Sequence, residues 1–274
     1  MAFSTGGRIN TNINATQAFT ALNNITRDLG THQLRLATGK RINSASDDPS
    51  GYVISKKMEG RVKAMSSAVD NVGDAQSVYG VAEGGYQTIA DILVTIKGKQ
   101  ARAANGGLGG NELDAIASEI NSLMSEVDDI NSQTKFNGVT LLSTSYNKTF
   151  QVGEGSSETL AVNFAASTGA TSLLGVAAGA VTSANIANLS VDTGLTTVNT
   201  EIGKIGAAVN RLTTKESNLT TAITNTEAAK SRILDADVAK EQIQASKLQI
   251  LQQTATTQLA AANSAPQQFL SLFR

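Results

Sequence analysis

Residues 41–55 read RINSASDDPSGYVIS, a polar stretch set between two long runs of helical periodicity. Lys40 and Arg41 lead into it, Asp47 and Asp48 stand side by side within it, and Pro49 follows them as one of only two prolines in the chain. A proline in a helix interior removes a backbone hydrogen bond and clashes with the preceding turn, and it drives the residue before it toward extended backbone. The stretch therefore divides what would otherwise be one helical rod. The fold it predicts is built from long helices separated by deliberate breaks.

Working outward toward the N-terminus, Ala18, Leu22, Ile25, Leu29, His32 and Leu36 recur at alternating spacings of four and three. That is the narrow apolar seam of a coiled coil. Gly39 stops it, as glycine commonly does just past a helix C-terminus. On the other side the seam reads Met58, Val62, Met65, Val69, Val72, Tyr79, Tyr86, Leu93 and Ile96, until NGGLGGN at 105–111 interrupts it. A third helix carries Leu113, Ile116, Ile120, Leu123, Val127 and Ile130. Asn111 is its expected cap, with Glu112 and Asp114 favourably charged in the first turn.

After Phe136-Asn137-Gly138 the period falls to two. Phe150 and Val152, a turn at GEGSS, and then Leu160, Val162 and Phe164 predict a β-hairpin. Residues 165–190 are Ala, Gly, Ser and Thr with few large side chains, so they are expected to add little core and to form a surface connection or mobile tip. Helical spacing returns with Ile202, Ile205, Val209, Leu212, Leu219, Ile223 and Ile233, breaks at the acidic pair of ILDADVAKE, and resumes as Ala245, Leu248, Leu251, Ala255, Leu259 and Ala262. This last helix is expected to end before Pro266. The fold class is mainly α, with a small β-hairpin at mid-chain.

Composition narrows the functions open to such a chain. Basic and acidic residues number 22 and 23, with no clustered basic face to hold nucleic acid. The absence of Cys removes disulfides and thiolate chemistry. His32 is the one histidine, and on a heptad position it reads as a register feature rather than a catalyst. Asp47-Asp48 and Asp235 with Asp237 lack the ligand-dense loop that calcium needs. No apolar run approaches the roughly 20 residues of a membrane span. The first fifteen residues lack the apolar core of a secretory signal, so the chain is expected to be cytosolic or exported by another route.

INTNINA (9–15), LATGKRINSASDDPSGYVIS (36–55), QTKFNGVTLL (133–142), FQVGEG (150–155), SRILDADVAKE (231–241), KLQILQQ (247–253), LAAAN (259–263) and PQQFLSLFR (266–274) closely resemble, in order, the end segments of bacterial flagellin. The likeness covers 9–176 and 188–274. It implies a structural, non-enzymatic subunit that self-assembles into the flagellar filament for motility, a long antiparallel bundle with the N- and C-terminal helices paired as a coiled coil, and no cofactor or metal. The expected organisation is an inner coiled-coil domain of 1–47 and 235–274, a helical bundle of 48–176 and 190–234, and a short variable connection at 177–189. By the same resemblance the protein is extracellular. It would leave unfolded through the flagellar type III export apparatus without a cleaved signal, meet an export chaperone at its C-terminal helices, and contact filament cap and hook-junction proteins, with no nucleic acid and no membrane insertion.

The resemblance also assigns residues. Leu22, Ile25, Leu29, Leu36, Leu248, Leu251, Leu259 and Phe269 are expected in the filament core. Arg41, Asn43, Asp47, Asp48 and Pro49 form the spoke, a loop joining the innermost helix to the outer bundle, with contacts between subunits. Many flagellins are detected by a vertebrate Toll-like receptor through an arginine and a leucine one turn later, on the helix before the Asn-Gly turn. Aligned on Asn105-Gly106, those positions here are Thr95 and Lys99, while the partner glutamate is kept as Glu119. The ends, poor in large apolar residues, are expected to order only on assembly. A hook–filament junction protein, a soluble helical coiled-coil adaptor, and an enzyme hosted by 143–190 are the alternatives.

Overall fold

The computed structural model describes residues 11–143, 146–164 and 168–271, the side chains of 266–271 excepted. Six α-helices and four short strands follow in the order α1 (Ile13–Thr38), α2 (Pro49–Ala103), α3 (Gly110–Gln133), β1 (Lys135–Phe136), β2 (Val139–Thr140), β3 (Asn147–Gln151), β4 (Thr159–Asn163), α4 (Ala170–Leu174), α5 (Val191–Leu234) and α6 (Val238–Ser271). The mainly α class is the one the spacing predicts. Asn12 caps α1 by accepting the Ala15 N–H at 3.0 Å, and Gly39 closes it in the left-handed region at φ 66°. Such a φ costs glycine nothing and a residue with a Cβ more.

Two boundaries differ from expectation. Helix α3 starts earlier, with extended Gly109 as N-cap and no side-chain cap, so Asn111 falls inside the first turn. Helix α6 does not stop before Pro266 but continues to Ser271.

The chain divides into two compact units, residues 1–60 with 226–274, and residues 61–225. Both boundaries fall inside α2 and α5 rather than at the helix breaks near 47 and 235. A helix interrupted by neither proline nor glycine cap can serve one unit with its first turns and the other with its last.

The 61–225 unit holds the large core. Met65, Val72, Tyr79, Tyr86, Leu93 and Ile96 of α2, Ile120 and Val127 of α3, and Val198, Ile205, Leu212 and Leu219 of α5 are all buried. The predicted hairpin is β3 paired antiparallel with β4, Phe150 opposite Leu160, and it sends Val152, Val162 and Phe164 into that core. The Phe164 ring meets Tyr79 edge-on, centroids 5.5 Å apart. A second, smaller hairpin joins β1 to β2 through Asn137 (φ 48°) and Gly138 (φ 79°). An Asn-Gly pair at two positive φ values is the favoured two-residue connection, and that signal stood in the sequence.

The connection is the main correction. Residues 168–190 do not form a coreless tip: Ala170, Leu173, Leu174, Val181, Ile186 and Leu189 are buried with the bundle. Helix side chains hold their backbone in place. Asn121 donates to the Val181 carbonyl (2.8 Å) and accepts from the Gly179 and Val181 amides. Asp128 accepts the Ala170 amide at 2.8 Å, and Gln100 donates to the carbonyls of Ile186 and Leu189, each at 3.1 Å. A loop can lie against a core only if its peptide groups find such partners. Counting large side chains missed that the few present are spaced to point one way.

One group in the core of the 61–225 unit has no partner among the described residues. The Tyr86 hydroxyl is buried without a hydrogen-bond partner, and burial together with the charge of Glu201 pushes the phenol well above its ordinary pKa. Burying a lone hydroxyl costs about 1–3 kcal/mol. Tyr86→Phe is therefore expected to leave the bundle as stable or raise its melting temperature, followed by circular dichroism. A clear loss of stability would mean that the hydroxyl has a partner after all.

Candidate assembly surface

Helices α1 and α6 lie antiparallel. The Asn12 amide donates to the Ala262 carbonyl at 2.7 Å near one end, and the Ala236 amide donates to the Gly39 carbonyl at 2.9 Å at the other. Leu22, Ile25, Leu29 and Leu36 face the partner helix and are buried or half-buried. On α6 the facing positions are Ala245, Leu248, Gln252, Ala255, Leu259 and Ala262. Leu251 is not among them: it is 40% exposed, and Gln252 takes its place, reaching the Thr26 hydroxyl at 3.4 Å. Strict alternation of three and four from Leu248 leads to 252, and the expectation of 251 broke that alternation. His32 sits in the seam as a polar pair with the Glu241 carboxylate, with the Arg35 guanidinium 3.7 Å away on the same acid.

The other faces of this pair are bare and apolar. Phe19 and Leu34 on α1 are 54% and 51% exposed, and Ile243 and Ile250 on α6 are 66% and 65% exposed. Ile243 and Ile250 stand one heptad apart, so they stack on one stripe, pointing away from the seam. No Asp, Glu, Lys or Arg occurs in residues 9–26 or in 248–273. A helix pair that stays in water normally carries charge on its outer faces. Here Ile250 and Leu251 stand among uncharged Gln and Thr, the composition of an interface awaiting a partner, while Ile243 a heptad earlier is flanked by the exposed Lys240 and Lys247. The heptad reading overlooked this absence of charge, although it is plain in the sequence.

The spoke is built from its own atoms. The Asp47 carboxylate accepts the backbone amides of Asn43 (3.0 Å) and Ser44 (2.9 Å) and the Ser44 hydroxyl (3.2 Å). These amides, Ser44 first, hold its pKa below the ordinary carboxylate value. The Asn43 amide donates to the Lys40 carbonyl at 3.0 Å. Asp48 accepts the Gly51 amide at 2.9 Å and so caps α2, whose first residue is Pro49. That is where proline suits a helix, since its missing N–H has no intrahelical partner there. Gly51 fits closely: a Cβ would come within 2.5 Å of the Asp48 carboxylate and 2.7 Å of the Ile42 side chain, so one of these side chains would have to shift. Ile42, 2% exposed, plugs the loop and was missed as the single large apolar residue in a polar run. Arg41 fastens the loop to the break between α5 and α6, its amide on the Leu234 carbonyl (2.7 Å) and its guanidinium on that of Ile233 (2.8 Å).

In the other unit, Thr95 is exposed with its hydroxyl on the Asp91 carbonyl at 3.0 Å, and the Lys99 ammonium pairs with the Glu119 carboxylate. The Phe269 side chain lies outside the described residues. Among the described residues no cluster of His, Cys, Asp or Glu could hold a metal ion.

Comparison with known proteins bears on this geometry. Residues 9–147 match the profile of the bacterial flagellin N-terminal helical region, and residues 189–273 match that of the C-terminal helical region. The chain is 31% identical to flagellin FlaB1 of Treponema pallidum, covering 97% of this chain and 99% of that one. It is 32% identical to a flagellin of Bacillus subtilis, covering 97% and 100%. A putative flagellar hook-associated protein from Vibrio parahaemolyticus shares the fold, with a TM-score of 0.58 at 15% identity over 69% of this chain and all of that one.

The spoke gives a pH prediction. Because the folded pKa of Asp47 is depressed, its contribution to loop order is complete above the ordinary value of 3.8 and is lost as pH falls through the lower folded value. Amide NMR of Asn43 and Ser44 should therefore report a transition with its midpoint below 3.8. A midpoint at or above that value would show that Asp47 does not hold the loop.

Proposed function

The chain belongs to the bacterial flagellin family and is a structural subunit of the flagellar filament, and we propose that the outward faces of its α1–α6 pair are the surfaces through which copies pack. The observation that carries this reading is that Ile250 and Leu251 on α6 and Phe19 on α1 are exposed in helix ends that hold no charge, with exposed Ile243 one heptad before Ile250. The internal seam uses one side of each helix. Ile243, Ile250 and Leu251 on α6, with Phe19 on α1, remain for neighbours.

Fully burying one such side chain contributes roughly 1.5–3 kcal/mol. Several per copy, repeated along a polymer, exceed what the seam alone supplies with its alanines and Gln252. We infer that the pair is marginal by itself and gains its order on assembly. The face that receives a neighbour differs from the face that is offered, so the contact does not close on itself and propagates as a helix. In this arrangement Leu22, Ile25, Leu29, Leu36, Leu248 and Leu259 hold the pair together and Leu251 faces a neighbour.

The spoke residues Arg41, Asn43, Asp47, Asp48 and Pro49 fix the loop between α1 and α2, and their outward atoms meet adjacent subunits. Export unfolded through the flagellar type III apparatus, with a chaperone on the C-terminal helices, suits a pair of helices that is unstable without its polymer. Cap and hook-junction proteins, presenting like ends, would cover the faces left at the filament's limits. The location is extracellular.

Three experiments bear on this. Ile250→Asp or Leu251→Asp puts a carboxylate on a face exposed in the monomer and dry in the polymer. It should leave the monomer's thermal melt unchanged, while burying the charge costs several kcal/mol per copy and abolishes filaments. Electron microscopy after seeding decides it, and normal filaments would remove this face from the interface. Leu259→Asp lies in the seam and should weaken both monomer and polymer. Removal of residues 235–274 should abolish polymerisation while residues 61–225 keep a cooperative melt. A truncated chain without that melt would show the bundle depends on the tail.

Receptor recognition follows from Thr95 and Lys99. A bidentate arginine donor and an apolar anchor are replaced, and Glu119 is occupied by Lys99. Weak Toll-like receptor activation by the monomer is expected in a reporter-cell assay. Activation at the dose of a strongly stimulating flagellin would overturn it.

A further inference from the structure

Traced back from Ala262 in alternating steps of three and four, the seam of α6 runs through Leu259, Ala255, Gln252, Leu248 and Ala245 and arrives at Glu241. An acid thus occupies a position that the spacing reserves for an apolar residue. Acids in a first turn favour the helix dipole from any face, but Glu241, in the first turn of α6, stands on the face turned to α1. Its side chain is 12% exposed. One carboxylate oxygen pairs with the imidazole of His32, itself a seam residue of α1, and the Arg35 guanidinium lies 3.7 Å from the other. Among the described residues no other ion pair joins the two helices.

This cluster is a poor source of cohesion. All three groups give up water to form it, and the Arg35 Nε–H is buried with no acceptor among the described residues. Apolar side chains of similar volume would hold the helices at least as well. They would not choose a register. Leu22, Leu29 and Leu36 repeat every seven residues, as do Leu248, Ala255 and Ala262 opposite them. A slip of one heptad therefore keeps the apolar contacts much as they are. It changes the company of the polar pair: in one direction His32 meets Leu248, and in the other Glu241 meets Ile25. A buried imidazole or carboxylate left without its partner is costly. The cost falls on the slipped pairings and spares the observed one. The hydrogen bonds between the two breaks hold 39–41 to 233–236, and the cluster extends that constraint into the seam.

We propose that His32, Arg35 and Glu241 determine the register of the terminal pair, so that every copy offers Phe19, Ile243 and Ile250 at the same levels to its neighbours. The register role deepens the filament reading but is tested apart from it, on the soluble chain.

The chain holds no cysteine, so introduced pairs of cysteines report register without interference. Ile25→Cys with Leu248→Cys lies one heptad along the seam from His32 and Glu241 and reports the observed register. Ile25→Cys with Ala255→Cys reports a slip one way, and Ala18→Cys with Leu248→Cys a slip the other. Disulfide yields in a glutathione buffer measure how often each pair meets, even where the helices are together only briefly. In the otherwise unaltered chain the first pair should exceed each slipped pair about tenfold or more. With His32→Leu and Glu241→Leu added, total closure should hold or rise while the preference falls to about threefold or less. Glu241→Gln still accepts from His32 and should keep the preference. A preference unchanged in the leucine variant would give the register to the break bonds alone and overturn the role of the cluster, as would its loss in Glu241→Gln. A fall in total closure with the preference intact would make the cluster a source of cohesion only, and would overturn it too. If the unaltered chain fails to polymerise when seeded, the filament reading fails, while the register role is decided by the disulfides alone.

Discussion

A helix with large apolar side chains on two opposite faces cannot be satisfied by one partner. Helix α6 is such a helix: Ala245, Leu248, Ala255, Leu259 and Ala262 turn toward α1, while Ile243 and Ile250 turn the other way. Water is a poor neighbour for that second stripe, although Lys240 and Lys247 flank Ile243 on it. In the proposed polymer the stripe would be covered, and the pairing with α1 sets which stripe is left over.

The breaks make that pairing possible. Gly39 ends α1, Asp48 and Pro49 start α2, and Asp235–Asp237 separate α5 from α6. The two breaks are fastened to each other, Arg41 to the Leu234 and Ile233 carbonyls and Ala236 to the Gly39 carbonyl. Each carbonyl involved belongs to a helix end or a linker and would otherwise need water. One set of hydrogen bonds therefore caps helices and fixes the loop. Asp47 and Asp48 divide the rest, one folding the loop on itself and the other starting α2. Their charge is used to satisfy amides inside the chain.

Much of this was legible in the sequence, for a physical reason. Long helices with a periodic apolar stripe report their own period, so the seams of α1, α2, α3 and α5 could be read residue by residue. Alternation identified β3 and β4 equally well. The failures have a common cause, which is that they depend on contacts far apart in sequence. Residues 168–190 look featureless until Asn121, Asp128 and Gln100 are seen to hold them. Ile42 reads as a stray apolar residue until Gly51 makes room for it. Leu251 and Gln252 differ by one position, and only the partner helix chooses between them. In the candidate surface, the seam was read from what is present, and the outer face had to be read from what is missing.

The choice of small and uncharged residues at the ends also answers a difficulty that any polymer subunit faces. A stripe of leucines on the outer faces would associate in any register and at once. Isoleucines spaced a heptad apart, the second among Gln and Thr and the first between two lysines, would bury enough surface to add up over many contacts but too little to hold two copies firmly. Such a surface favours addition to an existing end, where several neighbours are met together, over pairing in solution. The ends of the two terminal helices hold no charge from 9 to 26 and from 248 to 273, so the cohesion proposed for them would be insensitive to salt.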